Sequence, residues 1–215
     1  YQCLLTEGKV TGYEVAKQTG ISRSNAYNSL ASMTEKGAAY LVEEASTRKY
    51  VPVPLNEFCK NRIRKLEESG KWLQEHMPTE KAYVEGYITI EGAENILNKI
   101  KNLLSQVDQR VYISCTRNYL LLLIRELDTL MEERKKVVII TDQPATFHNA
   151  KVYFGENRGM QIGIIADSKY VLTGEYGEGS MNTCLYSGQK NFVELYKTAL
   201  ANEIKLLSIR EENKD

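Results

Sequence analysis

Apolar residues recur in three different rhythms along this chain, and each rhythm predicts a different kind of element. In residues 1–53 the spacing is helical at first. The stretch 1–7 reads as the tail of a helix stopped by Gly8. Thr11 is placed to cap a helix over 11–19, with Glu14 three residues on as the capping-box partner. Gly20 ends it, where a left-handed C-cap favours glycine. Ser22 then caps a second helix over 23–36, closed by Gly37. Val15, Ala16 and Ile21 are the apolar positions around the turn. Ala26, Tyr27, Leu30 and Met33 recur at helical spacing and are expected to bury one stripe. After Gly37 the period shortens. Two runs rich in aromatic and β-branched residues, 40–42 and 50–53, flank a polar stretch at 43–49, which predicts a β-hairpin.

Residues 54–78 carry a proline near each end and are mostly charged in between. Cys59, Ile63, Leu66, Gly70, Leu73 and Met77 fall at alternating steps of four and three, a heptad seam. The spacing predicts a helix that pairs with another helix along its length, through Cys59, Ile63, Leu66, Leu73 and Met77. The rival reading is a single amphipathic helix packed on its own domain, and Gly70 on the seam favours the rival.

Residues 82–210 alternate strand and helix: strands at 83–90, 110–115, 136–141, 160–176 (two, turned at 167–169) and 181–187, helices at 91–107, 118–134 and 190–207. Ile96, Ile100, Leu103, Leu104 and Val107 form the inward stripe of the first helix. The nearly all-apolar run 136–141 suits a strand buried on both faces. The alternation predicts a layered α/β domain. The organisation read from the chain is therefore 1–53, a linker and dimerisation helix at 54–81, an α/β domain at 82–210 and a charged tail at 211–215.

With 215 residues, 42% hydrophobic and 26% charged, the chain suits one or two globular domains. Lys+Arg and Asp+Glu are both 28, so net charge gives no argument for a polyanionic partner. The cysteines at 3, 59, 115 and 184 show no CxxC spacing and the histidines are His76 and His148, so no metal-ligand cluster is visible. Reduced, mostly buried thiols in a cytoplasmic protein are expected. No apolar run approaches the roughly 20 residues that span a bilayer, so no membrane partner is expected, and no cofactor motif is present. The chain opens on Tyr1 rather than Met, which reads as a missing start.

Helix, tight turn, helix and hairpin is the layout of a winged helix-turn-helix, in which the N-terminal residues of the second helix meet base edges in the major groove. Here those are Ser22, Arg23, Ser24, Asn25 and Asn28, and Thr11 at the start of the first helix is a further DNA-binding candidate. Arg can bind guanine and Asn adenine bidentately, and Ser can meet base or phosphate. Thr47, Arg48 and Lys49 on the hairpin suit phosphates beside the groove. Against this, Gly turns and polar surface residues are common in small helical domains. Six Lys/Arg against five Asp/Glu over 1–53 leave only +1. Tyr27 falls on the inward side and reads as core.

Together these motifs resemble the TrmB family of transcriptional regulators: YQCLL, TGYEVAKQTGISRSNAYNSLASMTEKG, the wing ending KYVPVP, the helical linker, and IEGAENILNKIKNLL opening the second domain. The resemblance covers nearly the whole chain. It implies a dimeric DNA-binding repressor or activator with the recognition helix starting at Ser22, whose second domain responds to a small-molecule effector. It also implies a phospholipase D-like fold for that second domain. Active members of that fold carry HxKxxxxD, a His nucleophile and a charge-steadying Lys. Aligned through Asp167, the segment 160–174 has Met160 and Ile162 at those positions, and His148 is not followed by xK. Catalysis by that route is not expected, and the turn at Asp167, Ser168 and Lys169 reads as a plain hairpin. The acidic loop EYGEGS would repel phosphate rather than cradle it. The chain stops short of the β-rich sugar-binding domain that many family members add, so no sugar is assigned. The alternatives are a winged module that binds protein and a phosphodiesterase-type enzyme.

Overall fold

The computed structural model describes residues 1–44, 47–78, 86–144, 147–155, 158–178 and 181–212. It divides into two compact units, Tyr1–Lys81 and Ala82–Asp215.

The first unit runs α1 (Gln2–Glu7), β1 (Val10–Thr11), α2 (Gly12–Thr19), α3 (Arg23–Glu35), β2 (Ala39–Glu44), β3 (Thr47–Pro52) and α4 (Leu55–His76). The capping box at α2 is present in full: Thr11 Oγ1 accepts from the Glu14 N–H at 3.2 Å, and Glu14 accepts from the Thr11 N–H at 2.7 Å. The Thr11 N–H bond first, and then the Thr11 hydroxyl donating to the same carboxylate, hold the Glu14 carboxyl below its ordinary pKa. Gly20 closes α2 at φ 72°, a left-handed conformation that costs glycine nothing. The hairpin pairs Ala39 with Pro52 through Glu44 with Thr47, so the strands reach further toward the tip than the apolar runs suggest. The tip itself, 45–46, lies outside the described residues. A short strand that the sequence pattern did not predict, β1, adds to the hairpin in the order β1-β3-β2. The core gathers Leu4, Val10, Val15, Ala16, Ala26, Leu30, Ala39 and Tyr50.

Tyr27 corrects the reading of the α3 stripe. It is 43% exposed, while Ala26 and Leu30 are buried and Met33 partly so. Its ring lies against Gly12, where any Cβ would stand 2.5 Å from the Tyr27 ring. Tyr27 therefore caps the α2–α3 contact from outside rather than filling the core, and Ile21 is exposed as well. Helix α4 has no buried residue over its 22 residues.

The second unit is a seven-stranded sheet in the order β4-β10-β9-β8-β5-β6-β7. Its strands are β4 (Tyr87–Glu91), β5 (Arg110–Ser114), β6 (Lys136–Thr141), β7 (Ala150–Phe154), β8 (Gln161–Ala166), β9 (Tyr170–Glu175) and β10 (Thr183–Ser187). β5, β6 and β7 run parallel; the other pairings are antiparallel. Helices α5 (Ala93–Ser105), α6 (Arg117–Leu121) and α7 (Ile124–Glu132) pack on one face with Ile113, Ile139 and Ile164. The long α8 (Lys190–Glu212) covers the other, over Val138, Ile140 and Ile165. β6 thus alternates its side chains between two separate cores, which explains its unbroken apolar run.

Three expectations shift. The helix over 118–134 is two pieces: the Leu122 and Leu123 N–H groups bond back three residues, to Tyr119 and Leu120, and tighten the chain into a turn. β7, between the strands expected at 136–141 and 160–176, is a strand that the sequence pattern did not predict. The first strand begins at Tyr87, and residues 83–85 of the expected span lie outside the described ones. Cys115 and Cys184 are buried, Cys3 partly so, but Cys59 is exposed. Among the described residues, no helix is long and apolar enough to cross a membrane, and no group of three potential ligands could hold a metal ion.

Candidate nucleic-acid interface

Helix α3 is held from one side. Ala26 and Leu30 anchor it in the core, and Ser22 Oγ caps it by accepting from the Asn25 N–H at 3.3 Å. That geometry leaves Ser22, Arg23, Ser24, Asn25 and Asn28 exposed at its N-terminal half. They do not all face one way. Arg23 lies toward α2, its guanidinium 4.5 Å from the centre of the Tyr13 ring. At an exposed site such a cation–π contact contributes about 0.5–1 kcal/mol, enough to bias the side chain without fixing it. Asn28 borders an open groove with Ser32, Lys36 and Phe58, formed between α3 and the start of α4. Thr11 has its hydroxyl committed to Glu14, at 2.9 Å, and serves the fold first.

The wing cations do not stand free. Arg48 Nε donates to Glu43 at 3.3 Å, and the two are register partners. Lys49 meets Glu44 at 3.0 Å, and Lys9 of the same unit meets Glu44 as well. Thr47 is exposed beside them. The acids that the sequence places before the tip fold back beside the cations after it, so the wing presents a compensated surface. Exposed pairs of this kind contribute about 0.2–1 kcal/mol each, little enough for a phosphate to displace the carboxylate. Tyr13, exposed beneath Arg23, is an interface candidate that sequence reasoning missed. Its signal was an aromatic one residue into a capped helix, where packing does not require one.

Residues 1–56 match the family model described as "Sugar-specific transcriptional regulator TrmB". The similarity to the TrmB family rests on this N-terminal segment. Over 157 residues, 71% of the chain, the sequence is 32% identical to the uncharacterized protein YrhO of Bacillus subtilis strain 168, and that match spans 56% of YrhO. Among solved structures, the chain is similar to TrmBL2, an archaeal chromatin protein whose structure shows a novel mode of DNA binding. The identity is 18% and the TM-score 0.49, over 95% of this chain and 90% of that one. NucT from Helicobacter pylori is similar at 16% identity and a TM-score of 0.44, over 56% of this chain and 97% of NucT.

Outside residues 1–56, the positions aligned with HxKxxxxD lie along β8 and its ends. Ile162 is buried in the main core and Met160 is exposed. Beside them Cys115, Tyr119, Met160, Ile162 and Tyr176 line a cavity of about 160 Å³. Burial pushes the Cys115 thiol up to about 12 and raises Tyr119 too, so neither is a ready nucleophile at neutral pH. His148 is exposed in the loop before β7.

Asp167 sits at the far end of the strand and is more than a turn residue. Its carboxylate accepts from the N–H groups of Asp108, Gln109 and Arg110 at 2.8, 2.8 and 2.9 Å. Burial alone would raise its pKa. The three backbone donors, with Lys169, outweigh burial and hold it below the ordinary carboxylate range. Asp167 and Ser168 both have positive φ, 50° and 54°, the turn geometry that matches strand twist.

Proposed function

We propose that the chain is a sequence-specific, DNA-binding transcription regulator, cytoplasmic and dimeric, whose second unit responds to a small-molecule effector. The observation that carries the reading is the exposed N-terminal half of α3, anchored from behind in a TrmB-family segment. Ser22, Arg23, Ser24, Asn25 and Asn28 read the major groove, while Thr47, Arg48 and Lys49 follow phosphates and Thr11 sets the start of α2. Two copies pair along Cys59, Ile63, Leu66, Leu73 and Met77 of α4 and present their α3 helices to half-sites about 34 Å apart. The effector favours one arrangement of the pair. Hydrolysis is no part of this reading: where phosphodiesterase chemistry needs His and Lys, the chain has Met160 and Ile162.

The test is a titration of duplex DNA from the protein's own promoter region at fixed salt. Arg23→Ala is expected to weaken binding by about 1–3 kcal/mol and to relax preference at one base position. Unchanged affinity removes Arg23 from the reading role. Absence of duplex binding even at low salt, where phosphate contacts are strongest, favours a winged module that binds protein instead, a reading to which the compensated wing lends weight.

A further inference from the structure

The α8 face of the large sheet gathers positive charge where the fold does not require it. Arg110 opens β5 and Lys136 opens β6, and they are register partners on adjacent parallel strands. Like charges set directly opposite on neighbouring strands work against pairing. Lys151, on the next strand, is the register partner of Val138, two residues along from Lys136. With Lys197 of α8, these three cations border a cavity of about 330 Å³. Among the described residues no Asp or Glu lines it. Lys197 also meets Glu194, at 3.0 Å, one helical turn earlier.

The rest of the wall is apolar. Tyr112, Tyr153, Val138, Ile165, Leu200 and Ile204 contribute to it. Tyr112 pairs in register with Val138 on one side and Ile165 on the other, so ring and aliphatic surface run continuously across three strands. The Lys136 ammonium is 5.8 Å from the Tyr112 ring centre, and that of Lys151 is 4.9 Å from that of Tyr153. Four cations thus border an apolar hollow with no acid among its described lining residues, a setting that suits an anion with an apolar body. The volume lies at the small end of ligand pockets, about 300–1,000 Å³.

We propose that this cavity binds a small organic anion: one phosphate or carboxylate group on a single ring or short aliphatic body. Arg110, Lys136, Lys151 and Lys197 take the charged head, and Tyr112 and its apolar neighbours take the body. That the anion acts as the effector rests on the regulator reading above; the binding itself does not.

Calorimetric titration of the full chain with phenyl phosphate and with phenylacetate tests it and distinguishes the two head groups. At least one is expected to bind ten times or more tighter than inorganic phosphate, which lacks the body, and than benzyl alcohol, which lacks the charge. Arg110→Gln with Lys136→Gln is expected to weaken binding at least tenfold while the thermal midpoint holds or rises, because cross-strand repulsion is relieved. Should that variant not fold, Ala201→Phe, an exposed α8 position bordering the cavity, is expected to block binding without changing any charge. Heat from neither aryl anion, equal binding of inorganic phosphate, or full binding by a folded variant overturns the proposal. So does loss of duplex DNA affinity in the double variant with aryl-anion binding intact, since this face would then be a nucleic-acid surface. Failure of the wild-type chain to bind duplex sinks the regulator reading and leaves the calorimetric result standing.

Discussion

The Asp167 carboxylate reaches three backbone N–H groups that lie 57 to 59 residues earlier in the chain. It fixes the α5–β5 connection to the β8–β9 turn, and its folded pKa is depressed. A depressed carboxylate stabilises the fold above its unfolded pKa, near 4, and loses that contribution as pH falls through the folded value. Asp167→Asn turns an acceptor-only group into one that cannot serve all three donors. It is expected to cost about 1–2 kcal/mol at pH 7, the low end for charged hydrogen bonds because solvent reaches the group. Below pH 4 the gap from wild type is expected to close. Urea midpoints at the two pH values measure this, and a pH-independent difference assigns Asp167 to turn geometry alone. At this scale the sequence was legible only where partners are close. Thr11 with Glu14 and Ser22 with Asn25 lie three residues apart and follow from spacing. The Asp167 contacts do not, because nothing local marks them. Tyr27 misled for a related reason: a helical period places it inward, but the missing side chain of Gly12 lets its ring settle outside.

Elements show the same division. α2, α3, α5 and β6 carry enough apolar period to be read directly. β7 does not: its five residues sit between a loop and a glycine, and their alternation is too short to stand out. The wing was legible as a hairpin, yet its electrostatics emerged only with the register, which sets Glu43 opposite Arg48. This makes the wing testable as a unit. Replacing Glu43 and Glu44 with Gln releases Arg48, Lys49 and Lys9 from their pairs. Stability is expected to fall by no more than about 1 kcal/mol per exposed pair. Duplex affinity is expected to rise, and the slope of log K against log salt to steepen by up to about 0.9 for each cation that reaches a phosphate. An unchanged slope takes the wing away from the DNA backbone.

For the whole molecule the open question is what covers α4. Its 22 residues span about 33 Å. Ile63, Leu66, Leu73 and Met77 are all exposed along it, Leu66 at 70%. A seam that apolar is costly to leave in water over six turns, and a second copy of the same seam is its simplest cover. The exposure also makes the test clean. Ile63→Asp with Leu66→Asp removes no buried side chain from the protomer, so the circular dichroism spectrum is expected to persist at low temperature while the melting midpoint of the first unit falls as pairing is lost. Sedimentation is expected to shift from dimer to monomer. Affinity for a duplex with two half-sites is expected to drop by about 10²–10⁴-fold, since the second contact no longer follows from the first, while affinity for one half-site stays within a few-fold. A variant that still sediments as a dimer moves the pairing surface off α4, and a wild-type chain that sediments as a monomer leaves α4 the lone amphipathic helix that Gly70 on its seam allows.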